Sequence, residues 1–278
     1  MKIKIVLYLL LFTGISMYTT NFMITKLEAK DPIMKEIINS KEKYEISPVN
    51  AVIEDNYMIP GLKGVKVNQK KTYQKMKNYG TYNESMTILT EDKPVISSEN
   101  IYDQYLIKGN SNKRSISLIF NVTKDINIKR ILEILKQEEV PGNFFLDGSI
   151  IEKNTSLIHQ YKENEYEVLS YNNKYSKTLI KASISYLESI TNEKNKYCLT
   201  EKENVKLLNI CKKEKYHTLL INYKIKENLY YEIKKNLSNG YLFLIEINPQ
   251  NEKELSPTIE YIKSKGYKIL KIKELLSE

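Results

Sequence analysis

The chain has 278 residues, 43 basic and 34 acidic side chains, and 41% hydrophobic residues, enough apolar material for one large domain or two modest ones and too much for a wholly disordered chain. Nine Gly and seven Pro exclude a collagen-like or low-complexity chain, and two Cys cannot staple a disulfide-dense scaffold. Arg114 and Arg130 are the only arginines among the basic residues, so the formal charge of +9 reads as a solvated, lysine-rich surface. No nucleic-acid partner is expected, because base and phosphate contacts favour the guanidinium group.

Lys2 and Lys4 lead into residues 5–24, IVLYLLLFTGISMYTTNFMI, which carry no charge. At about 1.5 Å per residue this run matches the roughly 30 Å of bilayer hydrocarbon, so residues 1–27 are expected to form a single-pass membrane anchor. Basic residues ahead of it favour a cytoplasmic start, with the body on the far side of the cell membrane. A cleaved signal with its site near Gly14 and Ser16, giving a secreted body, is the alternative. Residues 28–48 read as a polar stalk.

Residues 49–112 alternate short extended runs with turn signals and are expected to form a small α+β appendage. Pro60, Gly61 and Gly64 punctuate AVIEDNYMIPGLKGVKV, residues 68–78 suit a helix closed by Gly80, and residues 86–89 suit a strand. From 113 to 278 strands alternate with amphipathic helices, the signature of a parallel α/β arrangement. SISLIFNV is the first strand, and Ile128, Ile131, Leu132 and Leu135 then recur on one helix face. Further strands are expected at 142–146, 166–171, 218–222, 241–247 and 267–272, with helices at 150–164, 177–190, 203–213, 229–237 and 256–265. Six or seven such units fit a distorted, incomplete (β/α) barrel better than the eight-unit form, which needs about 250 residues.

Several of these segments carry a second kind of information. SISLIFNV is followed by ILEILKQEEVPGNFFLDGSIIEKNTSLI, then by YEVLSYNNKY, NLSNGYLFLIEI and SPTIEYIKSKGYKILKIKELL. Together they resemble the polysaccharide deacetylases of the NodB-homology type, carbohydrate esterase family 4, over roughly residues 113–277. IPGLKGVKV and YQKMKNYGTYNES are similar to the extension on exported deacetylase-like proteins of low-GC bacteria.

The resemblance implies a metal-dependent hydrolase. In that family a divalent metal such as zinc, held by one Asp and two His, polarises an acetamido carbonyl and activates water, and a neighbouring Asp takes the proton. The matching positions here hold Asn121 for the base, Val122 for the metal Asp, Tyr171 and Tyr175 for the two metal His, Cys198 in place of an Arg-Pro motif, and Glu246 for a late His. An amide accepts no proton at neutral pH, valine has no donor atom, and a phenol ionises only near pH 10. His159 and His217 are the two histidines of the chain and cannot lie one helical turn apart. No catalytic residue, metal or cofactor is therefore expected, and the six altered positions become a candidate groove.

The expected function is a membrane-anchored, catalytically inactive deacetylase-like protein that binds cell-wall or other envelope glycan, or an envelope protein. An atypical active deacetylase hydrolysing N-acetyl groups of cell-wall polysaccharide is the alternative, and an envelope assembly scaffold a third reading. Tyr161, Tyr166, Tyr171 and Tyr175 could line a sugar groove or simply reflect the abundance of tyrosine. Cys211 follows Val205 and Leu208 on one helix face, so it and Cys198 are expected as unpaired thiols, with a bridge as the alternative.

Overall fold

The structure, a computed structural model, describes residues 2–122, 128–153, 158–159, 161, 166–171, 176–194 and 197–278. Its strands are β1 (Val52–Glu54), β2 (Tyr57–Ile59), β3 (Gly64–Val67), β4 (Leu89–Asp92), β5 (Tyr105–Leu106), β6 (Ser115–Val122) and β7 (Asn143–Asp147), followed by β8 (Glu167–Tyr171), β9 (Tyr197–Thr200), β10 (His217–Leu220), β11 (Tyr223–Ile225), β12 (Leu242–Glu246) and β13 (Lys268–Ile269). The chain forms two compact units, one of Met1–Pro48 and Lys63–Lys93, the other of Val49–Leu62 and Pro94–Glu278.

In the smaller unit the antiparallel pair β3 and β4 accompanies the helices Lys2–Glu28, Pro32–Ser40 and Gln69–Tyr79. Met34, Ile37, Val67, Tyr73 and Met76 bury one another. Asp31 caps the helix Pro32–Ser40 by accepting from the Ile33 amide at 2.9 Å, and the Lys77 ammonium at 2.6 Å, together with that amide, holds its carboxyl below the usual range. Gly80 closes Gln69–Tyr79 at φ 95°, where a Cβ would be strained.

The larger unit is α/β. One sheet has the order β11-β12-β6-β7-β8, all parallel, with β13 also pairing with β6. The other has the order β1-β2-β5-β10-β9, in which β1 and β2 are antiparallel. Among the described residues no ladder joins β8 to β9 or β10 to β11, so the expected barrel is one parallel and one mixed sheet rather than a closed ring. Every residue of β6 is buried, as parallel strands covered on both faces require. Its alternate side chains split between two cores. Ile116, Leu118, Phe120 and Val122 pack with Phe144, Leu146, Phe243, Ile245 and the helices Lys129–Gln137 and Pro249–Ser264. Ile119 packs instead with Phe145, Leu169, Leu244, Leu199, Leu219 and Met58, in the space between the sheets.

The strand starts at the foot of that inner core are tied together by polar groups. Asn143 donates to the Leu118 and Leu270 carbonyls at 2.9 and 3.2 Å and accepts from the Ile272 amide at 2.8 Å. Its register partner Glu167 accepts from the Lys273 amide at 3.1 Å, so both side chains hold the first turn of the helix Ile272–Leu275. Burial pushes the Glu167 carboxyl up to about 7, the Lys273 amide only partly opposing it.

Two expectations need correction here. No helix among the described residues is long and apolar enough to cross a membrane, which overturns the single-pass anchor. The helix Lys2–Glu28 is continuous, but Thr13, Ser16, Thr19, Thr20 and Asn21 dilute its second half and Lys26 and Glu28 close it. The cysteines are not free thiols: Cys198 and Cys211 form a disulfide, 13 residues apart, with Cα atoms separated by 6.5 Å. The helix Val205–Lys213 packs Leu207 and Cys211 against Cys198, Ile180 and Ile184, so the face that buries Cys211 is also the face that meets its partner.

Folded Glu167 keeps its proton over a range in which the unfolded chain, with an ordinary value of 4.5, has lost it. Stability is therefore expected to be fully present below pH about 4.5 and to decline towards pH about 7, by on the order of 3 kcal/mol in all. Denaturant melts of Glu167→Gln beside the unmodified chain should show this slope removed. Loss of the Cys198–Cys211 link, through Cys198→Ser with Cys211→Ser, is expected to cost about 3 kcal/mol for a loop of this size. Unchanged melting would show that the bond carries no such role.

Candidate functional site

Parallel pairing brings the carboxyl ends of β12, β6, β7 and β8 into line. Glu246 stands opposite Asn121, Asn121 opposite Phe145, and Asp147 opposite Tyr171. Adjacent strands lie about 4.8 Å apart, so Glu246 and Asn121 are immediate neighbours. Phe145 and Ile119 belong to the inner core, and the two-residue period of a strand puts Asp147 and Asn121 on that same inner face. Active sites of barrel enzymes collect at this end of the strands.

Asn121 is only 8% exposed, and its Oδ1 has no hydrogen-bond partner among the described residues. Buried amide oxygens are rarely left so, because the lost hydration is not replaced. Beside it Glu246 accepts from Lys224 Nζ at 3.0 Å. The same ammonium reaches Glu201, just after β9, at 2.9 Å. Burial of Lys224 works against its charge, but the hydrogen bonds to Glu201 and Glu246 outweigh it and hold the amine above its usual range. Side-chain exposures of 27% for Lys224, 30% for Glu201 and 40% for Glu246 keep the cluster within reach of solvent.

The remaining candidate positions do not all converge. Val122 turns to the opposite face of β6 and is 1% exposed in the helix-packed core. Cys198 faces Ile180, Ile184 and Leu207 and is bound to Cys211. Tyr171 ends β8, whereas Tyr175 lies outside the described residues. Tyr161 and Tyr166 do not line a groove: Tyr161 stacks on Phe144 at 4.6 Å, and the Tyr166 hydroxyl donates to the Leu132 carbonyl at 3.2 Å. His217 starts β10, at the end of the strands away from Glu246, against Tyr102 and Tyr197. Lys224 and Glu201 carry the charge pattern of the mouth and were missed from sequence, since a lysine in the short run Tyr223–Ile225 has no spacing signal of its own.

A divalent metal does not fit these donors. Asn121 offers an amide, Val122 offers nothing and faces away, and the Glu246 carboxylate already has an ammonium at 3.0 Å. Among the described residues no group of three or more His, Cys, Asp or Glu could hold a metal ion.

Residues 108–215 match the family model described as polysaccharide deacetylase. YlxY, an uncharacterized protein of Bacillus subtilis, is 26% identical over 276 residues, which is 92% of this chain and 86% of the relative. Over residues 108–215 the chain therefore resembles the polysaccharide deacetylases, as a divergent sequence. The fold is similar to that of a carbohydrate esterase family 4 pseudoenzyme from Bacillus anthracis, with TM-score 0.66 and 22% identity over 90% of this chain and 96% of that one. A mutant of that pseudoenzyme with restored enzymatic activity gives 0.68 and 22% over 89% and 99%. PdaA of Bacillus subtilis, a family 4 carbohydrate esterase, gives 0.55 and 18% over 63% and 85%. The deacetylase likeness in structure thus continues through the strands and helices that follow residue 215, beyond the sequence match.

Because Val122 lies among Phe120, Leu146 and Ile128, an aspartate there would be buried without a partner. Val122→Asp alone is expected to destabilise the fold by about 3 kcal/mol or more, read as a lowered denaturation midpoint. A variant as stable as the parent would show that this strand end can rotate the residue toward the mouth.

Proposed function

We propose that this chain is a deacetylase-like protein without hydrolytic activity, whose strand-end mouth binds amino-sugar polysaccharide of the chitin or peptidoglycan type. The observation that carries the reading is the Lys224 ammonium 3.0 Å from Glu246. A cation supplied by the chain itself neutralises the carboxylate nearest the position of the catalytic base, and that position holds Asn121, which cannot take a proton. Without a metal and a base, neither polarisation of an acetamido carbonyl nor activation of water has a donor here. The mouth nevertheless keeps partly exposed polar groups on a rigid sheet, the arrangement a sugar needs for oriented hydrogen bonds. The pseudoenzyme and esterase neighbours share the fold, and their place in a carbohydrate esterase family makes a glycan the first ligand to test.

The full chain is expected to carry no stoichiometric zinc, to release no acetate from N-acetylated chitin-type or peptidoglycan substrates, and to bind N-acetylated oligosaccharides measurably by calorimetry. Acetate release abolished by a chelator would overturn the inactive reading. Failure to bind any oligosaccharide would overturn the glycan reading.

A further inference from the structure

We infer that the mouth of the larger unit selects de-N-acetylated amino sugar, recognising a glycan ammonium between Glu246 and Asn121. The inference rests on the glycan-binding reading and specifies which form of the glycan is preferred.

Two independent observations meet at this place. The first is the charge arrangement. Lys224 is shared between Glu201 at 2.9 Å and Glu246 at 3.0 Å, so two carboxylates face one ammonium and one negative charge of the three groups is left over. Glu246 is the most exposed of them. An incoming ammonium can take the Glu246 carboxylate while Lys224 keeps Glu201, which exchanges one cation for another at Glu246 and neutralises the excess charge. An acetamido group brings no charge and cannot make this exchange. The second observation is Asn121, more than nine-tenths buried, on the inner face directly beside Glu246, with Oδ1 lacking a partner among the described residues. The ammonium of an amino sugar has three N–H donors, enough to satisfy the Glu246 carboxylate and the Asn121 oxygen together. An acetamido nitrogen has one N–H and a bulky acyl group, and would leave one acceptor unmet.

The charge of the whole molecule argues that such a preference is local. At +9 the protein repels a cationic oligosaccharide at long range, so tighter binding of the amino form has to come from particular carboxylates. Charge-assisted hydrogen bonds at a partly desolvated site are strong enough for about a tenfold preference.

The test is calorimetric titration of the full chain with a four-sugar glucosamine oligosaccharide and with the same oligosaccharide N-acetylated, at pH 6 and low salt. The amino form is expected to bind about tenfold more tightly, with the preference lost in Glu246→Gln and reduced in Asn121→Leu. Raising the pH until the sugar amine deprotonates should abolish the preference in the unmodified protein, a readout that needs no folded variant. Equal or tighter binding of the N-acetylated form, or a preference that survives in folded Glu246→Gln, would overturn the inference and leave the glycan reading standing. Absence of binding by both forms would overturn the two together.

Discussion

All eight residues of β6 are buried, and β12 and β7 flank the strand in parallel register. A strand so placed has no solvent face, and its two-residue period assigns every side chain to one of two cores. Phe120 and Val122 go to the helices, and Ile119 and Asn121 go between the sheets. The rest of the unit is built on that assignment. Phe144 and Leu146 follow the first set and Phe145 the second, as do Ile245 and Leu244 on the other side. Two adjacent positions that a linear motif treats as a pair are therefore separated by the thickness of the sheet, and only Asn121 is left to serve the mouth.

The inner core has different chemistry at its two ends. At the strand starts, Ser117 donates to the Leu270 carbonyl at 2.7 Å and Asn143 uses both its donor and its acceptor capacity. Glu167 there is buried by apolar surroundings and holds a backbone amide, which makes it a structural group. At the strand ends, Asn121 has an acceptor unused among the described residues, and Lys224 is divided between two carboxylates. Polar groups that are fully satisfied rigidify a fold, whereas a partly satisfied set stores interaction capacity for something that has yet to bind. The asymmetry follows the general division of barrels, with stability at one face and function at the other.

What was legible in the sequence was the part governed by local period. SISLIFNV, the helix face of Ile131, Leu132 and Leu135, and the strand within GNFFL were readable because burial of one continuous face dictates the spacing. Pairing between distant segments was not readable. β5 lies between β2 and β10, and two residues of strand carry no sign of such neighbours. The helix Pro249–Ser264 starts earlier than its apolar positions suggest, because Asn248 accepts from the Gln250 and Asn251 amides and Pro249 needs no donor at the first turn. Pro257 inside it made the later start look natural. At the site, the identities of Asn121 and Glu246 were plain, but their adjacency needed the β12–β6 register, and Lys224 needed β11 beside β12. The amino-terminal run misled for the opposite reason: absence of charge was read as apolarity, although Thr, Ser and Asn account for much of its second half.

The poor fit of this mouth to a metal is therefore not confined to the residues that a motif comparison replaces. Val122 belongs to a packed layer with Phe120, Leu146 and Ile128, so a carboxylate at that position opposes the core that holds β6 in place. Lys224 opposes a divalent metal by another route, since its ammonium leaves only one net negative charge among itself, Glu201 and Glu246. One obstacle is packing and the other electrostatic, and they lie on different strands. A drift of ligand residues alone would leave an empty, metal-ready pocket, whereas this mouth has been filled by a charge of its own. On the proposed glycan reading, that charge suits the site to exchanging one ammonium for another rather than to polarising a neutral acetamide, so the charge of the sugar nitrogen is expected to govern recognition.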